Sequence, residues 1–202
     1  CGGWDERRWR AVGRQYYGLC TQVDAVVGRV VATLAETGLD RSTWIVLSSD
    51  HGELLGDHGL LSKRVFFGAS VRVPLLLVPP VGAERPLRHQ GLVQSFDAVG
   101  TVLDLAGCDW GPGDVPARSL LPVFDGDLCA REVVFSEIAG FAMAESASAK
   151  AIVHKETGEL GALHDLRDDP GERVDLADDS DARRAQGELL DRLAAYVRGG
   201  AQ

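Results

Sequence analysis

Trp44-Ile45-Val46-Leu47-Ser48-Ser49-Asp50-His51-Gly52-Glu53-Leu54-Leu55-Gly56-Asp57-His58-Gly59-Leu60-Leu61-Ser62-Lys63 is the stretch that decides the fold. It opens on an apolar, β-branched run, Trp44 to Leu47, which predicts a short buried parallel strand. The residues after Leu47 are too polar and too glycine-rich to extend that strand. Asp50 and His51 therefore fall where a strand gives way to a loop. In open α/β sheets ligands bind at that strand end. A carboxylate oxygen and a neutral imidazole nitrogen are both metal ligands. Gly52, Gly56 and Gly59 are expected to let the backbone turn back past the site. The loop then delivers Lys63, whose ammonium can face an anionic substrate.

The rest of the composition narrows the function classes. The chain has 202 residues, 45% hydrophobic and 25% charged, which is enough for a globular core. Its 21 basic and 30 acidic residues leave a net charge of −9. An acidic chain without long basic runs argues against nucleic acid or an anionic membrane as a partner, while a few local cations suffice for a small anionic ester. No apolar run is expected to approach the roughly 20 residues that span a bilayer. The start, Cys1-Gly2-Gly3-Trp4-Asp5-Glu6, does not read as a signal peptide. It also lacks an initiating methionine, so the true N-terminus is expected upstream. Cys1, Cys20, Cys108 and Cys129 lack the paired spacing of a zinc site or a disulfide framework, which leans toward a reducing, cytoplasmic setting.

Along the chain, apolar residues from Val12 to Leu34 recur at helical spacing, predicting one helix over 4–36 with Gly38 as its C-cap. Val73 to Pro79 reads as a second apolar strand, with prolines at its ends. Arg72, just before it, reads as one partner of a buried ion pair, beside the reading that it positions the loop or the substrate. Leu92 to Ser95 is a strand candidate, and Asp97 is placed as the cap of a helix over 98–106. Strands are expected at 132–137, 151–154 and 163–166, with Gly158 in the turn between the last two. An amphipathic helix over 181–197 closes the chain.

Asp50-His51-Gly52-Glu53, Leu55-Gly56-Asp57-His58-Gly59-Leu60, Lys63 and Ser70-Val71-Arg72-Val73-Pro74-Leu75 together resemble the C-terminal half of type I sulfatases and their phosphonate monoester hydrolase relatives in the alkaline phosphatase superfamily. The late Leu163-His164-Asp165-Leu166 and Asp169-Pro170-Gly171-Glu172 runs also resemble that family. The resemblance implies an α/β fold: the C-terminal part of an alkaline-phosphatase-like α/β/α sandwich over 1–126, then a small antiparallel sheet plus helix over 127–202. It implies that Asp50 and His51 ligate one divalent cation, calcium first, with manganese or zinc as alternatives. It implies that Lys63 contacts the ester near the leaving oxygen. His58 is carried as a second candidate substrate contact, beside the reading of a structural histidine. Asp24 matches the helix before the metal strand, and by position alone reads as a helix-surface residue or a structural salt bridge.

In that family the nucleophile is a formylglycine made from a Cys-x-Pro-x-Arg-type motif. None of the four cysteines here stands in such a motif. Asp168-Asp169 and Asp178-Asp179 lie too late in the chain to match the family's early aspartate pair, and read as solvated turns. Two ligands alone hold calcium poorly, since it takes about six to eight oxygens. The expectation is a sulfuric ester hydrolase represented by its C-terminal part, with formylglycine in a missing N-terminal part and little turnover by the chain alone. A complementary N-terminal segment, or a second copy of the chain, is the expected partner. The alternatives are a phosphodiesterase or phosphonate monoester hydrolase of the same superfamily, and a non-catalytic remnant that binds or scaffolds.

Overall fold

The protein was analysed as a computed structural model that describes residues 3–83, 88–111, 116–127 and 131–199. Cys1 and Cys129 lie outside those residues. Backbone proximity divides the chain into two units: Cys1–Lys63 with Arg72–Pro86, and Arg64–Val71 with Leu87–Gln202.

The first unit opens on a helix, α1 (Glu6–Thr37). The Asp5 carboxylate caps it by accepting from the Arg8 N–H at 2.9 Å. Gly38 ends it in the left-handed conformation (φ 72°), with its N–H donating to the Ala35 carbonyl. None of the described residues of α1 is buried. The expected apolar stripe is exposed, with Val23 and Val30 more than half accessible. By length and composition α1 is apolar enough to cross a bilayer. The sequence expectation counted uninterrupted apolar runs, and charged residues such as Asp24 and Arg29 break this one.

Two strands come next, β1 (Ile45–Ser48) and β2 (Leu75–Val78). They pair antiparallel, with Ile45 opposite Val78 and Ser48 opposite Leu75. This corrects the parallel reading. An unbroken apolar run specifies a strand but not its direction, and the returning segment simply lies back along β1. Nor is the pair fully buried: Ser48, Leu76 and Val78 are exposed. Ser48 ties the strand ends together by donating its hydroxyl to the Pro74 carbonyl at 2.9 Å. Arg72 is exposed, so it is not one half of a buried pair.

The second unit holds α2 (Gly68–Val71), α3 (Ser95–Leu105), the sheet β3 (Val133–Ile138), β4 (Phe141–Ser146), β5 (Ala149–His154) and β6 (Leu160–Asp165), then α4 (Ser180–Ala185) and α5 (Gly187–Gly199). The sheet is antiparallel in the order β3-β4-β5-β6. The expected α/β fold with a small C-terminal antiparallel sheet plus helix is therefore present. Two details differ. Leu92 forms only an isolated bridge to Arg131, because α3 starts at Ser95. Asp97 is then not the cap but the third residue of a capping box on Gln94. The terminal helix is broken at Gln186, next to Gly187, a poor helix former.

The strand the sequence hid is β4. Its alanines and the adjacent ones of β5 make a flat surface: Ala142, Ala144, Ala149 and Ala151 are buried against Leu189 and Leu193 of α5. Small side chains let the helix approach closely, while low strand propensity disguises the element. Phe135 stacks on Tyr196 at 4.4 Å between centroids, along the border of this core.

Strand alternation turns Glu145 and Lys150 to the sheet's other face. They are cross-strand partners, and their charged groups lie 3.1 Å apart. Lys150 is fully buried and also pairs Glu172. This polar row receives the segment 64–71: the Lys150 ammonium donates to the Phe66 carbonyl at 2.7 Å.

The α5 interface should dominate the stability of the second unit. Leu193→Ala is expected to cost about 2–5 kcal/mol in denaturant unfolding, the range for truncating a buried leucine. Val99→Ala, on the exposed side of α3, is expected to stay within about 0.5 kcal/mol.

Candidate active site

Asp50 and His51 lie two and three residues beyond Ser48, the last residue of β1. The Ser49 hydroxyl donates to the His51 carbonyl at 2.9 Å, pinning the turn. The His51 N–H donates to Asp50 Oδ1 at 2.9 Å. That backbone bond, against a smaller desolvation cost, holds the exposed Asp50 carboxyl below its ordinary value of 3.8; the charge of His51 and the Ser49 hydroxyl lower it further.

The imidazole is set by its other nitrogen. His51 Nδ1 lies 2.9 Å from the Gly52 carbonyl, which can only accept, so Nδ1 carries the proton. In the neutral ring Nε2 is then a bare lone pair. It faces Asp50 Oδ2 at 3.3 Å. Two acceptors at that distance repel unless a proton or a cation lies with them. A ring held by a carbonyl on one nitrogen and open on the other is the usual state of a metal-ligating histidine. An ionised carboxylate oxygen and an imidazole nitrogen, side by side, fit a divalent cation. Among the described residues no group of three or more His, Cys, Asp or Glu could hold a metal, so the pair is at most part of a coordination shell.

The loop after the pair is folded onto itself. Leu54, 2% exposed, is its inward anchor. The Leu54 N–H donates to the Ser62 carbonyl at 3.1 Å and the Gly56 N–H to the Leu60 carbonyl at 2.9 Å. Gly56 is needed twice over: its φ is 112°, and a Cβ there would sit 3.1 Å from the Trp9 ring. Gly59 is also left-handed, at φ 68°, whereas Gly52 has no positive φ. Leu55, His58, Ser62 and Arg64 take positive φ without being glycine.

Lys63 stands at the end of this loop, exposed, and makes no hydrogen bond or ion pair with a described residue. His58 is exposed at the loop's tip. The structure thus brings Asp50 and His51 into contact and places Lys63 and His58 in the same unit. Asp24 is exposed on α1, Asp179 caps α4, and Asp169 accepts from the Arg173 and Val174 amides. Sequence reasoning missed Glu53, whose carboxylate accepts from the Ser62 N–H. Its closeness to His51 in the chain was the available signal, but its partner lies nine residues away.

A family model described as Sulfatase matches residues 4–108. Over 124 residues the chain is 40% identical to the multifunctional alkaline phosphatase superfamily protein PehA of Trinickia caryophylli, covering 58% of this chain and 23% of that protein. Over 121 residues it is 34% identical to arylsulfatase K of Bos taurus, covering 60% and 22%. The phosphonate monoester hydrolase structure from Agrobacterium radiobacter superposes with a TM-score of 0.81 at 25% identity, over 98% of this chain and 43% of that one. The matches to the two curated relatives span less than a quarter of their length.

The depressed Asp50 carboxyl gives a direct test of the local geometry. Its titration, followed by carbon NMR, should fall below 3.8. A lowered folded-state value means that the interaction is complete above the ordinary range and is lost as pH falls through the folded midpoint. In His51→Ala most of the depression should survive, because the backbone N–H still donates. A return to 3.8 in that variant would assign the effect to the ring instead.

Proposed function

Because this chain belongs to the sulfatase family, we propose that it supplies the metal-binding and leaving-group side of a sulfuric ester hydrolase site. The observation that carries this reading is the facing pair, Asp50 Oδ2 and His51 Nε2, at the exit of β1. A divalent cation held there, calcium first with manganese or zinc as alternatives, would place positive charge on the ester's non-bridging oxygens.

The chain's own residues divide the remaining work. Asp50 is ionised over the whole neutral range and contributes a charged oxygen. His51 keeps its Nε2 lone pair open because Nδ1 donates to Gly52. Lys63 faces the bridging oxygen, balances the charge that grows as the bond to sulfur breaks, and gives that oxygen a proton. His58 is a second contact to the bound anion. Neither Cys20 nor Cys108 sits in a motif that yields formylglycine. The nucleophile and further acidic ligands would come from a longer polypeptide or a complementary N-terminal segment.

A second reading is favoured by particular likenesses. One relative is named a multifunctional alkaline phosphatase superfamily protein and one solved neighbour a phosphonate monoester hydrolase, and an imidazole ligand suits zinc better than calcium. Hydrolysis of phosphate or phosphonate esters by the same residues is therefore the alternative.

Two measurements test the proposal. In manganese titration of the 202-residue polypeptide, Asp50→Asn and His51→Ala should each weaken binding by roughly tenfold or more, as loss of a ligand does. Unchanged affinity would remove the metal assignment. Turnover of 4-nitrophenyl sulfate by the polypeptide alone should stay at background. Fusion to a sulfatase N-terminal segment carrying formylglycine should produce turnover that Lys63→Ala lowers by about a hundredfold. Robust hydrolysis by the polypeptide alone would contradict the division of labour, and faster cleavage of a phosphonate ester by the fusion would favour the second reading.

A further inference from the structure

Lys63 sits between two anchored stretches of backbone. On its N-terminal side the Glu53 carboxylate accepts from the Ser62 N–H. The Ser62 carbonyl accepts from the N–H of buried Leu54 at 3.1 Å. On its C-terminal side only Arg64 and Val65 separate Lys63 from Phe66. The Phe66 carbonyl accepts from the Lys150 ammonium at 2.7 Å. Two residues further, the Gly68 N–H donates to Glu172 Oε2 at 2.5 Å. The other oxygen of Glu172 pairs Lys150.

These anchors are costly. Lys150 is 0%, Glu145 4% and Glu172 5% exposed. Three charges taken this far from water, summing to −1, add little net stability compared with apolar residues of the same shape. Glu172 is itself left-handed, at φ 55°. Beyond the sheet, the cluster bonds to the Phe66 carbonyl and the Gly68 N–H, backbone groups of the short segment just after Lys63. The residues on either side of Lys63 are also strained: Ser62 has φ 72° and Arg64 has φ 87°. Non-glycine residues keep such values only where their surroundings over-determine them, and they gather at functional sites.

On the reading that Lys63 serves ester cleavage, we propose that Glu53 and the buried Lys150–Glu172 pair are positioning residues for it. They fix the chain before and after Lys63, so that its ammonium is presented in one orientation. Neither touches the ester. Each acts within its own unit, on the stretch of backbone next to Lys63.

A purely structural role for the same groups predicts a different pattern. The test uses Glu53→Ala, Glu53→Gln and Lys150→Met. Glu53 is only partly buried, so its variants fold even if Lys150→Met does not. In hydrogen exchange on the 202-residue chain, Glu53→Ala should speed exchange across 62–65 by about tenfold, while Glu53→Gln, which still accepts, should restore protection. In the formylglycine-bearing fusion, Glu53→Ala should lower kcat by about tenfold with KM within about twofold, and Glu53→Gln should recover it. If folded, Lys150→Met should act likewise through 66–68.

Unchanged exchange in Glu53→Ala overturns the proposal. So does unchanged kcat in a fusion that Lys63→Ala inactivates, which leaves the reading of Lys63 intact. Full turnover by Lys63→Ala overturns that reading and the positioning role with it.

Discussion

Asp50 Oδ2 and His51 Nε2 face each other across 3.3 Å, and only a positive charge makes that contact favourable. Both groups are committed to it by bonds on their other side. Asp50 Oδ1 takes the His51 amide, and His51 Nδ1 gives its proton to Gly52. The turn cannot relax by rotating the ring without losing a hydrogen bond worth about 0.5–1.5 kcal/mol. A cation bound between the two groups, or a proton on Nε2, would relieve the repulsion without that loss. The strand before the pair and the folded loop after it are what hold this arrangement in place.

The second constraint is the buried ammonium of Lys150. It draws two carboxylates and a backbone carbonyl to one point on the sheet face that α5 does not cover. On the opposite face, alanines admit α5 closely. The small C-terminal sheet thus has a hydrophobic side that supplies stability and a polar side that grips the segment after Lys63. Family membership alone gives no reason for a charged cluster there. The strained backbone on both sides of Lys63 gives one.

The turn that carries Asp50 and His51 was legible in the sequence because it rests on local features. An apolar run leading into Asp-His-Gly marks a strand end, and closely spaced glycines mark a turn, of which Gly56 and Gly59 take positive φ and Gly52 does not. The helix end at Gly38 was legible for the same reason, whereas the start, expected at Trp4, falls after the Asp5 cap. Strand direction was not, since Ile45-Val46-Leu47 carries no alternation to encode it. β4 was hidden because its alanines are chosen for closeness to α5, a tertiary demand that overrides strand propensity. Asp97 was misplaced because its decisive partners, the Arg118 amide and the Arg131 guanidinium, lie far along the chain. Lys150 and Glu172 drew no role in the sequence for that reason too.

The most direct measurement concerns the distance between the metal pair and the ammonium. With manganese bound to the 202-residue chain, NMR signals of the Lys63 side chain should broaden strongly. The same spectrum with diamagnetic magnesium in place of manganese serves as the reference. Broadening of Lys63 that disappears in Asp50→Asn would place the ammonium near a cation held by that carboxylate. Sharp Lys63 signals under saturating manganese would contradict a shared pocket.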